Sequence, residues 1–142
     1  MFGEIHKFLL SFLLCPPAEE HPVSVDSASV RTGFIGDEVL LPCICSNQLS
    51  EPVTAFWRDK DDKVVLDIIN SREDKIDAKF TGRVFSFPDY YKNGNLSILI
   101  KDLRADDAGP YECDIPKDVL LVAEKIIIYV FLVCFFHTVS SY

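Results

Sequence analysis

Few residues of this 142-residue chain are of types that carry chemistry, and their placement limits what they can do. The three histidines, His6, His21 and His137, lie near the two ends, away from any strand pattern that could hold an imidazole as a base. No serine stands in a Gly-x-Ser-x-Gly turn, and the six glycines are scattered rather than gathered into a phosphate-binding loop. Asp59, Asp61 and Asp62 could be read as a calcium loop, but Lys60 and Lys63 interleave with them and mark a solvated turn. Cys43-x-Cys45 could open a metal site, yet such a site needs further ligands at a second spacing. The chain therefore reads as non-enzymatic, with no metal and no cofactor implied. Asn95-Leu96-Ser97 offers another chemistry, that of an N-glycosylation acceptor. Leu96 should face a core, so Asn95 should face solvent.

Composition narrows the class. A net charge of −8 and a pI near 4.7 argue against nucleic-acid binding, which needs a basic face. Cysteines stand at 15, 43, 45, 113 and 134, an odd number, so at least one is unpaired or pairs between chains. Lys7 precedes the apolar run 8–14, and Cys15-Pro16-Pro17-Ala18 follows, which reads as a short secretory signal peptide over 1–18. At the other end, 126–136 is an apolar run of eleven residues, whereas a spanning helix needs about twenty. Its β-branched first half suits a last strand. Residues 131–142 then form a hydrophobic tail or a membrane segment cut short, the route for any membrane association.

The elements between are all strands. Val39, Leu41, Cys43 and Cys45 alternate on one face, as do Val53, Ala55 and Trp57, with Thr54, Phe56 and Arg58 opposite. Residues 22–32 suit an edge strand, 33–37 a turn, 64–69 a further strand, and 70–79 a polar connection. Strand patterns recur at 82–87 and 96–100, and Asn93-Gly94 between them is the strongest hairpin signal in the chain. Next comes Leu103-Arg104-Ala105-Asp106-Asp107-Ala108-Gly109-Pro110-Tyr111-Glu112-Cys113. Tyr111 and Cys113, two apart, share the buried face of a strand. Gly109 sits before that strand, where a chain crossing between sheets needs freedom from a Cβ.

Cys43, Trp57 and Tyr111-x-Cys113, in this order, resemble the immunoglobulin superfamily over residues 22–130. The resemblance implies an all-β, two-sheet antiparallel immunoglobulin-like sandwich. About 26 residues between Trp57 and Arg83 leave room for the additional strands of the variable type. It further implies a Cys43–Cys113 disulfide behind Trp57, a tyrosine corner at Tyr111, and an Arg83–Asp107 pair closing the base. Closing a loop of about 70 residues would stabilise by roughly 4 kcal/mol in the chain-entropy model, in an oxidising compartment. Cys45 is then a buried free thiol, or a partner of Cys15 or Cys134.

No glycine follows Gly109, so the strand-G bulge of rearranged antigen-receptor domains is missing. Gly-Phe-Ile-Gly-Asp-Glu-Val-Leu-Leu-Pro-Cys, Phe-Trp-Arg-Asp, Gly-Arg-Val and Gly-Asn-Leu-Ser-Ile-Leu-Ile-Lys-Asp-Leu are similar to the variable-type domain of butyrophilin-like and T-cell costimulatory ligands. That resemblance implies an extracellular ligand that binds an immunoglobulin-superfamily receptor on T cells and tunes T-cell receptor signalling and cytokine output. The rivals are a variable-type innate immune receptor, a secreted decoy and an adhesion module. The expected partner face is the outer side of the sheet holding strands C, F and G, with Phe56, Arg58, Glu112, Asp114 and Tyr129. The loops 47–52 and 115–121 are the second choice.

Overall fold

The computed structural model describes residues 28–46, 48–116 and 121–132. The signal-peptide segment 1–18, all three histidines, Cys15, Cys134, residue 47, most of the 115–121 loop and the tail from 133 onward lie outside them. Nine strands are described. They are β1 (Ala28–Phe34), β2 (Val39–Leu41), β3 (Ala55–Arg58), β4 (Val64–Ile69), β5 (Arg72–Glu73), β6 (Val84–Ser86), β7 (Ile98–Ile100), β8 (Gly109–Pro116) and β9 (Leu121–Phe131). One sheet has the order β1-β9-β8-β3-β4-β5 and the other β2-β7-β6. Pairing is antiparallel except where β1 runs parallel to β9, from Ala28↔Lys125 to Phe34↔Phe131.

Alternation decides which side chains fill the space between the sheets. Val39, Leu41, Cys43 and Cys45 from one layer meet Val53, Ala55, Trp57, Leu66, Ile68, Tyr111, Cys113, Ile126 and Ile128 from the other, all buried. Each large aliphatic side chain removed from water there stabilises by about 1.5–3 kcal/mol. Two links cross the layers. The Cys43–Cys113 disulfide bridges Cα atoms 6.4 Å apart. The indole Nε1 of Trp57 donates to the Leu96 carbonyl at 2.9 Å, so the one polar atom of this buried ring is satisfied. At the open edge, the Ser86 hydroxyl donates to Glu73 on β5 and receives the Tyr91 hydroxyl at 2.5 Å. Burial pushes the Tyr91 phenol above its ordinary value. This chain of three polar groups ties the edges of the two sheets together.

Four expectations need correction. Asn93-Gly94 is no two-residue hairpin: Pro88–Asn93 is a 3₁₀ helix, and Gly94 ends it at φ +88°. Proline at its first position favours the helical start, and the longer connection carries Tyr91 into the core. Residues 70–79 are not merely a connection. They hold β5, and beyond it the backbone bonds back to β4 through Asp67–Lys75, Asp74–Asp67 and Asp77–Val64. The first strand runs on through Gly33 and Phe34, residues expected to form a turn. Asp59 is not solvated either. It is buried, and its Oδ1 accepts from the backbone N–H groups of Asp61 and Lys63 at 2.9 and 2.8 Å, capping the turn.

Gly109 opens β8 at φ +128°, and a Cβ there would meet Lys60 Cδ at 2.9 Å. Lys60 has little freedom to yield, because its ammonium donates to the carbonyls of Asp106 and Ala108. Gly109→Ala should therefore destabilise by about 1–3 kcal/mol, read as a lower midpoint in chemical denaturation. An unchanged midpoint would show that the backbone relaxes at no expense. Pro110, next to it, pairs with Ile127 of β9 but lies before the residues of β8 that meet β3. Its missing N–H is tolerated there.

Candidate functional site

The expected residues separate into two places. Arg83 and Asp107 meet at the base, both buried, in a two-pronged ion pair of 2.8 and 3.0 Å. Asp107 Oδ2 also accepts the Arg104 backbone N–H at 2.8 Å, and the Tyr111 hydroxyl donates to the Asp107 carbonyl at 2.7 Å. Burial, then the Asp107 charge, push the Tyr111 phenol far above its ordinary range, so it stays a donor. Lys79 lies across the cluster, its Nζ 2.8 Å from the Asp106 carbonyl, 3.5 Å from Asp59 and 3.9 Å from Asp107. Every buried side-chain polar atom among the described residues has a partner. These contacts clamp three turns together.

Phe56, Arg58, Glu112, Asp114 and Tyr129 stand on the other side of the six-stranded sheet, away from the core. Neighbouring strands put Phe56 opposite Asp114, and Arg58 opposite Glu112, which faces Lys125 in turn. Tyr129 lies further along β9, opposite Thr32 of β1. Arg58 donates to Asp67 at 2.6 Å and rests over the Phe56 ring, 5.5 Å from its centroid. Glu112 pairs with Lys125 at 3.2 Å. The Asp114 carboxylate makes no hydrogen bond among the described residues. Burial, then the Glu112 carboxylate, push its carboxyl up from the ordinary value against the opposing Arg58 charge.

Sequence reasoning missed the apolar half of this face. Ile127 and Phe131 share the outward side of β9 with Tyr129, while Ile126 and Ile128 point into the core. Val30 and Phe34 on β1 face the same way, in register with Ile127 and Phe131, and the Phe34 and Phe131 rings lie 6.1 Å apart. The signal was present. A strand apolar on both sides predicts a covered outer face, and the run from Ile126 to Phe131 is of that kind. Of the second-choice loops, residues 47 and 117–120 lie outside the described residues. No group of three or more His, Cys, Asp or Glu side chains among the described residues is placed to hold a metal ion.

A pair of β-sheets locked by a cross-layer disulfide, with one indole behind it and a tyrosine corner at the base, defines an immunoglobulin-type sandwich. The chain belongs to the immunoglobulin V-set domain family, whose model matches residues 26–129. Among curated proteins it is 30% identical over 120 residues to a sodium channel regulatory subunit beta-4 from Bos taurus, covering 78% of this chain and 53% of that one. The chain thus spans about half the length of the relative it matches. Solved structures share the fold. The human B7-H4 IgV-like domain matches with a TM-score of 0.62 at 21% identity, over 72% of this chain and 91% of that one. Bovine butyrophilin gives 0.63 at 21% identity, over 84% and 53%. The complex of ICOS with ICOS-L and an anti-ICOS-L VNAR domain gives 0.65 at 17% identity, over 72% and 54%.

Proposed function

We propose that this domain is a non-catalytic extracellular ligand of the costimulatory or coinhibitory kind. It engages an immunoglobulin-superfamily receptor on T cells and modulates T-cell receptor signalling and cytokine production. The observation that carries the reading is the outer face of the six-stranded sheet. There an aromatic stacked by arginine, a carboxylate without a hydrogen bond and an apolar stripe on β9 lie side by side. Aromatic and arginine residues dominate binding energy at interfaces, and an apolar patch gathered on a sheet face marks a surface that meets a partner. Structural likeness to B7-H4, to butyrophilin and to a complex containing ICOS-L supports this kind of partner. Residues 1–18 act in this reading as the secretory signal, and 131–142 as the route to a membrane.

The test is binding of the multimerised domain to activated T cells and to a panel of immunoglobulin-superfamily ectodomains, with cytokine release read in parallel. Phe56→Ala is expected to weaken binding about thirtyfold, the effect of losing a hot-spot residue worth about 2 kcal/mol. Its thermal stability should barely change, since Phe56 lies on the outer surface. Binding that survives this change and Asp114→Lys alike would remove the face from consideration. A second reading, an auxiliary subunit held beside a membrane protein in the same cell, is favoured by the 30% identity to the channel subunit. Co-purification with a channel from co-expressing cells, without binding to T cells, would favour it.

A further inference from the structure

The opposite side of the molecule carries a second set of exposed apolar side chains, and the partner face leaves it unexplained. Leu40, Leu99 and Phe85 stand in one row across β2, β7 and β6. Their strand neighbours Val39, Leu41, Ile98, Ile100 and Val84 are all buried, so the row points outward. Leu40 is 48% and Phe85 43% exposed. Four positions beyond Leu40, between the buried Cys43 and Cys45, the same alternation turns Ile44 outward, at 60% exposure. Lys101 lies 5.0 Å from the Phe85 ring at the margin of the row. Apolar surface gathered in this way normally marks a contact or an aggregation hazard.

Ile44 is not alone at its end of the face. It forms an antiparallel bridge with Asn95, in the register of the β2–β7 ladder, so both side chains project from the same surface. Leu96 is buried, which turns its neighbour Asn95 outward. Asn95 opens the Asn95-Leu96-Ser97 acceptor sequence. Its Oδ1 accepts the Ser97 backbone N–H at 3.1 Å. Its Nδ2 makes no hydrogen bond among the described residues, and Nδ2 is the atom that a sugar would substitute. The Cys43–Cys113 disulfide independently suits the oxidising route on which such sugars are added.

We infer that Asn95 carries an N-linked glycan whose inner sugars lie over Ile44 and the Leu40–Leu99 row and screen this face from other molecules. The step balances. Nδ2 attacks the anomeric carbon of a lipid-pyrophosphate-linked oligosaccharide, the new N–C bond replaces the C–O bond to pyrophosphate, and a proton from Nδ2 passes to base. A strand advances about 3.3 Å per residue, so Leu40 lies roughly 13 Å from Ile44, within reach of a few linked rings. Those rings present C–H groups on one side and hydroxyls on the other, which suits an apolar surface that must stay soluble. The inference rests on the proposed function only for passage through the secretory route, and needs no T-cell partner.

The experiment expresses the full chain in eukaryotic cells and maps glycopeptides of the secreted protein before and after peptide N-glycosidase. That enzyme leaves aspartate at a glycosylated asparagine, so the treated protein and Asn95→Asp are the same polypeptide. Aspartate also keeps the oxygen that accepts the Ser97 N–H. Expected are a glycan on Asn95 in most molecules, and a several-fold rise in hydrophobic-dye binding and self-association for both aglycosyl forms. Adding Leu40→Ser and Ile44→Thr to Asn95→Asp should reverse that rise. Secreted protein with a bare Asn95, or aglycosyl forms that bind no more dye than the parent, overturns the inference. A chain retained inside the cell without sugar overturns it together with the extracellular reading. Secreted, glycosylated and shielded protein that ignores T cells leaves it standing and sinks the ligand role alone.

Discussion

Asp107→Ala is expected to lower the unfolding free energy by about 3–5 kcal/mol, the effect of stripping one partner from a buried ion pair. Arg83 would keep its bonds to the carbonyls of Lys79, Lys101 and Asp102, but its charge would face no carboxylate in direct contact. The Arg104 N–H would lose its acceptor as well. Replacing both members, Arg83→Met with Asp107→Leu, should recover much of the loss, because no unpaired charge then remains. Denaturant midpoints of the two variants against the parent decide the matter; equal midpoints for all three would mean that the clamp is idle. Acid should act on the same group. Burial alone would raise the Asp107 carboxyl. The hydrogen bonds from Arg83 and the Arg104 backbone, with the charges of Arg83 and Lys79, outweigh it and hold the group below its ordinary 3.8. A depressed folded value means that the stabilisation is fully present above about 3.8 and is lost as pH falls through the lower, folded value. Asp107→Ala should flatten that acid limb.

Removal of the disulfide by Cys43→Ala with Cys113→Ala should cost about 4 kcal/mol, from the loop-closure entropy of a 70-residue separation. Both residues are buried in the core, so two small alanines also leave some packing unmade. The single tryptophan gives a direct readout. Trp57 sits opposite Cys113 on the adjoining strand and is sealed from solvent, so its emission should change on reduction and shift to the red on unfolding. Reduction that leaves both emission and midpoint where they were would contradict the arrangement of the core.

How much of this could be read from the chain follows from which forces are local. Inward positions such as Leu41, Cys43, Ala55, Trp57, Tyr111 and Cys113 obey a period of two, and that period is a property of the strand itself. The tie of Tyr111 to Asp107 spans four residues and is equally local. Pairing of β1 with β9 joins residues nearly a hundred positions apart, and no neighbouring residue records that choice. Asn93-Gly94 misled because Gly94 does take the positive φ of a turn, but as the end of a 3₁₀ helix that buries Tyr91. On the candidate face, Phe56 and Arg58 were visible as the polar-side members of an alternating strand. Ile127 and Phe131 were hidden inside an unbroken apolar run in which either parity could point inward. Only the register with β8, where Tyr111 meets Ile126, settles the parity.

The parallel partnership of β1 and β9 also bears on how the molecule meets force. Ala28 of β1 lies toward one end of the paired strands, opposite Lys125, and Phe131 of β9 toward the other, opposite Phe34. Tension between those points runs lengthwise along two adjoining strands. Seven residue pairs, from Ala28↔Lys125 to Phe34↔Phe131, then share the load in shear instead of parting one after another like a zipper. A domain strung between two moving surfaces would resist being pulled open along that seam.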